Sequence, residues 1–197
     1  MDLDERDILY LTYDGITEPL GESQILAYLL GLSKKYNWKF DILSFEKKHV
    51  PEKKKAEVKN LLNTHDIGWT YKGFTDRPPL ISTLFDMYRM YFTAKNLISH
   101  RKYKIIHARS LLPAYVGLKL KRRHKNIKLI FDMRGFWQDQ RIESRVWNSQ
   151  NQIYKLLYKR TKAIEKDLLI HSDHIVVLTE AAKKVIEQWK KAKHIPT

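Results

Sequence analysis

"ILYLTYDGITEPLGESQILAYLLGLSK", residues 8–34, reads as a strand, a loop and a helix in that order. The run at 8–12 is apolar, short and closed by turn-forming residues, which is the signature of a buried strand. Ile25, Leu26, Leu29 and Leu32 then recur at helical spacing. Between them lies a loop longer than a plain connection needs. It holds Gly15, Gly21 and Pro19 together with the carboxylates Asp14 and Glu18. Such a loop at the carboxyl end of a strand points to binding.

The same alternation continues along the chain. "KFDILSF" (39–45), "IGWTYKGF" (67–74), "KIIHA" (104–108), "IKLIFDM" (127–133) and "HIVVLT" (174–179) read as strands. Helical patterns fall between them: one opened by Pro51, a long one over 80–100, then 111–124, 151–170 and one that begins after Thr179, a plausible N-cap. Residues 134–148 read as a loop. In the long helix Ile81, Leu84, Phe85, Tyr88 and Phe92 share one side, expected to face the core, as are Ile153, Leu156, Leu157, Ile164 and Leu168 in the helix at 151–170. Buried strands alternating with helices argue an α/β fold with a doubly wound, mainly parallel sheet and helices on both faces. No internal repeat, low-complexity tract or linker interrupts the pattern.

Composition narrows the chemistry. At 197 residues with 43% hydrophobic content, the chain can bury a substantial core. The absence of cysteine excludes a disulfide framework, thiol catalysis and cysteine-ligated zinc. Thirty-seven Lys and Arg against 22 Asp and Glu give a net charge of +15, which favours anionic partners. Lys155, Lys159, Lys162 and Lys166 fall on one face of a helix. That stripe is either a solvated face or a surface for anionic membrane. Nucleic acid is the weaker alternative, because no nucleic-acid module signature is present. There is no apolar run of spanning length and no signal-peptide pattern, so a cytoplasmic chain is expected.

Ligands of doubly wound sheets bind beyond the carboxyl ends of the strands. Those ends deliver Asp14 after the first strand, then His107, Arg109 and Ser110, then Asp132, Arg134, Trp137 and Asp139, then Thr179 and Glu180. No G-x-G-x-x-G, Walker phosphate loop, H-E-x-x-H or G-x-S-x-G elbow occurs. His171 and His174 straddle a helix end and a strand start, where capping explains them better than a metal does.

"YDGITEPLGESQILAYLLGLSKK", "IIHARSLLPA", "KLIFDMRGFWQDQRIE" and "HSDHIVVLTEAAKKVI", in that order, resemble the N-terminal half of a family 4 glycosyltransferase. The resemblance implies one Rossmann-like half of a GT-B fold, spanning 1–197, with "HIPT" at the crossing to a second domain. In that family the second domain holds most nucleotide-sugar contacts, including two glutamates eight positions apart, a spacing no glutamates have here. The C-terminal donor-binding domain is therefore expected in cis on a longer chain or in trans on a partner. The isolated domain is expected to be inactive. The implied reaction is retaining transfer from a nucleotide sugar to a glycan or lipid-linked acceptor, as in polysaccharide or glycolipid assembly, without cofactor or metal. An acceptor-binding subunit of a split enzyme and a basic nucleic-acid-binding domain are the alternatives.

The resemblance also distributes roles. Gly15, Gly21 and Glu22 fall in the loop that closes on the donor diphosphate, where glycines would let backbone N–H groups approach. Asp14 and Glu18 would repel phosphate and are expected to meet sugar hydroxyls or to fold back into the loop. Asp132 lies where a histidine or acid sits against the reacting sugar, and Arg134 beside it offers a fork for phosphate or carboxylate, or an ion-pair partner for Asp132 or Asp139. Trp137 is a candidate for stacking on a sugar and equally for core. Asp139, His107 and Arg109 are candidate acceptor or sugar contacts, with ordinary hydrogen bonding the alternative for the histidine. The aromatic helix (Phe85, Tyr88, Tyr91, Phe92) reads as core, with a peripheral site on the inner membrane face as the alternative.

Overall fold

The computed structural model describes residues 4–78, 80–148 and 150–192. Six strands form one sheet: β1 (Asp4–Leu11), β2 (Phe40–Glu46), β3 (Gly68–Gly73), β4 (Arg101–Arg109), β5 (Lys128–Met133) and β6 (His174–Val177). They lie in the order β3-β2-β1-β4-β5-β6, and every neighbouring pair is parallel. The chain therefore has the Rossmann-like α/β architecture. The order reverses between β1 and β4, and the crevice outside that switch point is where such sheets bind ligands.

The helices follow the strands. After β1 come α1 (Pro19–Gly21), a π-helical turn (Glu22–Leu26) and α2 (Ala27–Tyr36), wound as one continuous rod. Then follow α3 (Glu52–Asn63), α4 (Ile81–His100), α5 (Leu111–Arg123), α6 (Trp137–Glu143), α7 (Gln152–His171) and α8 (Glu180–Ala192). The Thr179 hydroxyl accepts from the Ala182 amide at 3.1 Å, capping α8 as its sequence suggests.

Side chains alternate across a strand, and here they divide the core in two. Leu9, Leu11, Ile106, Ala108, Leu129 and Phe131 pack against α4, α5 and α7. Ile8, Tyr10, Phe40 and Ile42 pack against the turn and α2 through Ile25, Leu26 and Leu29, and against α3 through Val58 and Leu62.

Two amphipathic readings are corrected by these layers. The side of α4 that meets the core carries Ser82, Asp86, Met90, Ala94 and Ile98, while Leu84 is 71% and Tyr88 61% exposed, with Ile81, Phe85 and Phe92 also outside. The cause is Asp86, fully buried and bonded to the Tyr13 hydroxyl (3.0 Å), the Thr75 amide (2.9 Å) and the Thr75 hydroxyl (2.8 Å). A satisfied buried carboxylate holds the helix with its polar residue inward, and the aromatic stripe is turned out. Tyr91 alone of the aromatic set packs partly against the core. In α7, Leu168 is buried as expected, Leu157 and Ile164 are half-buried, and Ile153 and Leu156 are exposed; Thr161 and Glu165 take the inward positions.

The third difference is α6, within the stretch read as a loop. It lacks a helical apolar period, and tertiary bonds fasten it: Gln138 donates to the Thr161 carbonyl at 2.8 Å, and Asp139 accepts from the Tyr158 hydroxyl at 2.8 Å and from Lys162 at 2.7 Å.

Candidate functional site

The sheet register assembles the site. Tyr10 on β1 lies opposite His107 on β4, and Arg109 on β4 lies opposite Asp132 on β5. Because Ile106, Ala108, Phe131 and Met133 face the α4–α5 layer, period-two alternation sends His107, Arg109 and Asp132 to the other face. All three are buried, at 4%, 4% and 5% exposure, at the carboxyl rim beside the switch point.

They are close but not fully bonded. Asp132 Oδ2 stands 3.9 Å from His107 Nε2 and 3.8 Å from Arg109 Nη1, and Asp132 Oδ1 stands 3.5 Å from Arg134 Nη1. His107 Nε2 and Arg109 Nη1 are buried without a hydrogen-bond partner. Burial raises the Asp132 carboxyl above its ordinary range, and the Arg134 and Arg109 charges pull it part of the way back. Burial, and then the charge of Arg109, push His107 down to about 4, so the imidazole is neutral at neutral pH. The His107 ring packs between Tyr10, at 4.8 Å, and Tyr28, at 6.1 Å. The cluster thus combines a buried carboxylate, a buried guanidinium and a neutral buried imidazole with a second, part-exposed guanidinium, that of Arg134. Unpaired polar atoms of that kind are costly to bury unless something meets them.

The loop after β1 closes over this cluster. Arg109 Nε donates to Asp14 at 3.2 Å, and Arg109 Nη2 donates to the Gln24 side-chain carbonyl at 2.7 Å. Arg134 Nη2 donates to that same oxygen at 2.9 Å. From below, the loop is anchored on Glu46, the last residue of β2 and buried. Its carboxylate accepts from the amides of Ile16 (2.9 Å) and Thr17 (3.3 Å), from the Thr17 hydroxyl, and from the Ser44 hydroxyl (2.6 Å). Gly15 is required by this anchoring, and Gly21, which with Glu22 lies in the helical rod rather than in the loop its sequence suggested, by the close approach of α1 to the loop backbone. A Cβ on Gly15 would stand 2.8 Å from Glu46 Oε2, and one on Gly21 would overlap the carbonyl oxygen of Gly15. What approaches these glycines closely is the loop's own backbone and its anchor.

Of the residues singled out from sequence, Asp14, His107, Arg109, Asp132 and Arg134 converge. Glu18 and Glu22 turn away to pair with Lys47 (2.8 Å) and Lys54 (2.5 Å). Asp139 joins Tyr158 and Lys162 and braces α6 on α7. Lys162 accordingly leaves the lysine stripe: it bonds Asp139 and Glu165, the latter at 3.0 Å, while Lys155, Lys159 and Lys166 remain exposed. The Trp137 side chain and "HIPT" (194–197) lie outside the described residues. On the other side of β5 a recess of about 140 Å³ opens under Arg134 and Gly135, lined by Ser110 and Phe131 and reaching Glu165. Ser110, between Arg109 and α5, holds φ at +72°, a strained value for a residue with a side chain and one that clusters at functional sites.

Sequence reasoning missed Tyr10, Gln24, Tyr28 and Glu46. Glu46 was findable, since it stands at the carboxyl end of a strand run as Asp132 does; Gln24 closes the stretch read as the loop and, as one polar residue among several there, carries no signal of its own. Among the described residues no group of three or more His, Asp or Glu is placed to hold a metal ion, and no helix is long and apolar enough to cross a membrane.

Comparison with known proteins gives this rim its context. Sucrose-phosphate synthase from Thermosynechococcus elongatus superposes with a TM-score of 0.60 at 15% identity, over 93% of this chain and 45% of that one. A UGT transferase from Siraitia grosvenorii, solved in complex with UDP, superposes with a TM-score of 0.59 at 11% identity, over 97% of this chain and 50% of that one. At such identities the likeness is one of fold, and the chain spans about half the length of either protein. No curated protein sequence matches it significantly. The sequence pattern of Glycosyltransferase Family 4, however, matches residues 32–197, from α2 across every strand that builds the rim except β1, and on that match the chain belongs to glycosyltransferase family 4.

Proposed function

We propose that this chain is the acceptor-side half of a retaining glycosyltransferase, which moves a sugar from a nucleotide-sugar donor to a glycan or lipid-linked acceptor. A second GT-B domain, in cis or on a partner chain, supplies most of the donor contacts, and the described half is inactive alone. The observation that carries the reading is Asp132: a buried carboxylate at a strand end, met only loosely by guanidiniums at 3.5 and 3.8 Å. In a desolvated site such a carboxylate stabilises positive charge as it develops at the anomeric carbon, or orients the attacking hydroxyl. Its strength comes from being fixed before the reaction, so no reorganisation is needed when the charge appears. The reaction so described uses the nucleotide sugar as substrate and calls on neither cofactor nor metal. In the complete enzyme, Asp132→Asn lowers kcat by roughly 10²–10³-fold and leaves the donor dissociation constant within about twofold. Unchanged kcat would remove Asp132 from the mechanism.

A peripheral position on the inner, anionic face of a membrane is the second part of the proposal. Its support is the outward stripe of Ile81, Leu84, Phe85, Tyr88 and Phe92 on α4, combined with a net charge of +15. Aromatic and aliphatic residues on one helix face of a basic protein suit the interface plane of a bilayer. The start of α4 is also tied to the β1 loop through Asp86 and Tyr13, so a membrane bound there would lie beside the rim that receives the acceptor.

A further inference from the structure

The contact that stands out at the rim is the one made by Gln24. A single neutral amide oxygen receives two guanidinium groups, from Arg109 at 2.7 Å and from Arg134 at 2.9 Å. A guanidinium makes its strongest and most specific pairings with the oxygens of a carboxylate or phosphate, so a neutral amide oxygen is a weak occupant of a strong position. A third donor is left over: Arg109 Nη1 is buried and makes no hydrogen bond. The Arg109 side chain is 4% exposed and cannot turn to solvent for a replacement. Gln24 itself is exposed, on the π-helical turn, and is free to leave.

From this geometry we propose that Arg109 and Arg134 form a seat for a substrate phosphoryl group, and that the Gln24 side chain fills it until the phosphate arrives. The proposal rests on the glycosyltransferase reading and names the substrate group that the same rim takes. Phosphate fits better than carboxylate because three terminal oxygens, spread in three directions, can each meet one of Arg109 Nη2, Arg134 Nη2 and the unused Arg109 Nη1, whereas a planar carboxylate must share one of its two oxygens between two donors. The acids nearby do not fill the seat: Asp14 meets Arg109 through Nε, and Asp132 stays at 3.5 Å or more from both guanidiniums. The phosphate comes either from the donor diphosphate or from a phosphorylated acceptor.

The test is titration of the 197-residue chain with inorganic pyrophosphate, read through the arginine Nε–H resonances of Arg109 and Arg134. Both resonances shift on binding. Gln24→Ala removes the competitor and tightens binding about threefold or more. Gln24→Glu places a carboxylate on the two guanidiniums and weakens binding at least tenfold without loss of fold. Ser23→Glu adds the same charge one residue away and costs less than threefold, which separates occupation of the seat from a general change of field. Resonances that stay still, or Gln24 variants that bind pyrophosphate like the parent, overturn the proposal. A second arm competes pyrophosphate with UDP and with geranyl diphosphate: stronger displacement by UDP assigns the seat to the donor, and by geranyl diphosphate to the acceptor. No sugar transfer enters the assay, so its failure leaves the Asp132 reading intact, and failure of the Asp132 test leaves this result standing.

Discussion

Glu46 is the post on which the β1 loop stands, and replacing it by glutamine measures that load. The swap keeps shape and removes charge. In one orientation the amide N–H₂ group would face the Ile16 amide at the 2.9 Å contact, donor against donor; in the other it faces the longer Thr17 contact at 3.3 Å. The second is the less costly. It still orphans the Thr17 N–H, at about 1–2 kcal/mol, and turns the remaining charge-assisted bonds into neutral ones, at about 1 kcal/mol each before the saved cost of burying a charge is subtracted. The net expectation for Glu46→Gln is a loss of about 3 kcal/mol. For a domain of this size that lowers Tm by roughly 6–12 °C. Thermal unfolding by circular dichroism reads the total, and amide exchange at Ile16 and Thr17 reads the local part, which should quicken more than exchange in β1 or β4. A Tm within 2 °C of the parent, with Ile16 and Thr17 still protected, would falsify the idea that this carboxylate holds the loop.

Two further outcomes are expected. His107 has a folded-state value below its unfolded one, so the unfolded chain takes up the proton first and stability falls as pH drops from about 6.5 toward 4. At about 1.4 kcal/mol per pH unit the full loss is roughly 3 kcal/mol. Asp132, raised by burial, acts in the opposite sense, so urea unfolding of the parent is compared with His107→Asn: the two pH curves diverge over this window, and parallel curves would show that His107 does not titrate as its burial requires. On α4, the pair Leu84→Ser and Phe85→Ser removes roughly 2 kcal/mol of interfacial burial and lowers binding to phosphatidylglycerol-containing vesicles about 30-fold at moderate salt. Equal binding by parent and variant, or none by the parent, removes the membrane part of the proposal.

Much of this protein is written locally. Short apolar runs separated by helical periods are enough to specify six strands and a parallel sheet, because burial on both faces demands continuous apolar residues in the strand itself. Strand-end residues are equally legible: once a parallel sheet is accepted, His107, Arg109, Asp132 and Arg134 must stand at its carboxyl rim. Tertiary structure decided the rest. The stripe of α4 has the same helical period whether it faces core or solvent, and only the pairing of Asp86 with Tyr13 and Thr75, residues 73 and 11 positions away, turns it outward. Lys162 has the same spacing as its neighbours, yet Asp139 and Glu165 draw it in. Gly15 and Gly21 announced a close approach without naming the partner, which is the loop's own backbone and Glu46. Gln24 announced nothing, because its place between two guanidiniums depends on side chains 85 and 110 residues further on. Periodicity determines which residues share a face; which face is buried, and which charges meet across it, are settled only when distant segments pack and desolvation makes each pairing compulsory.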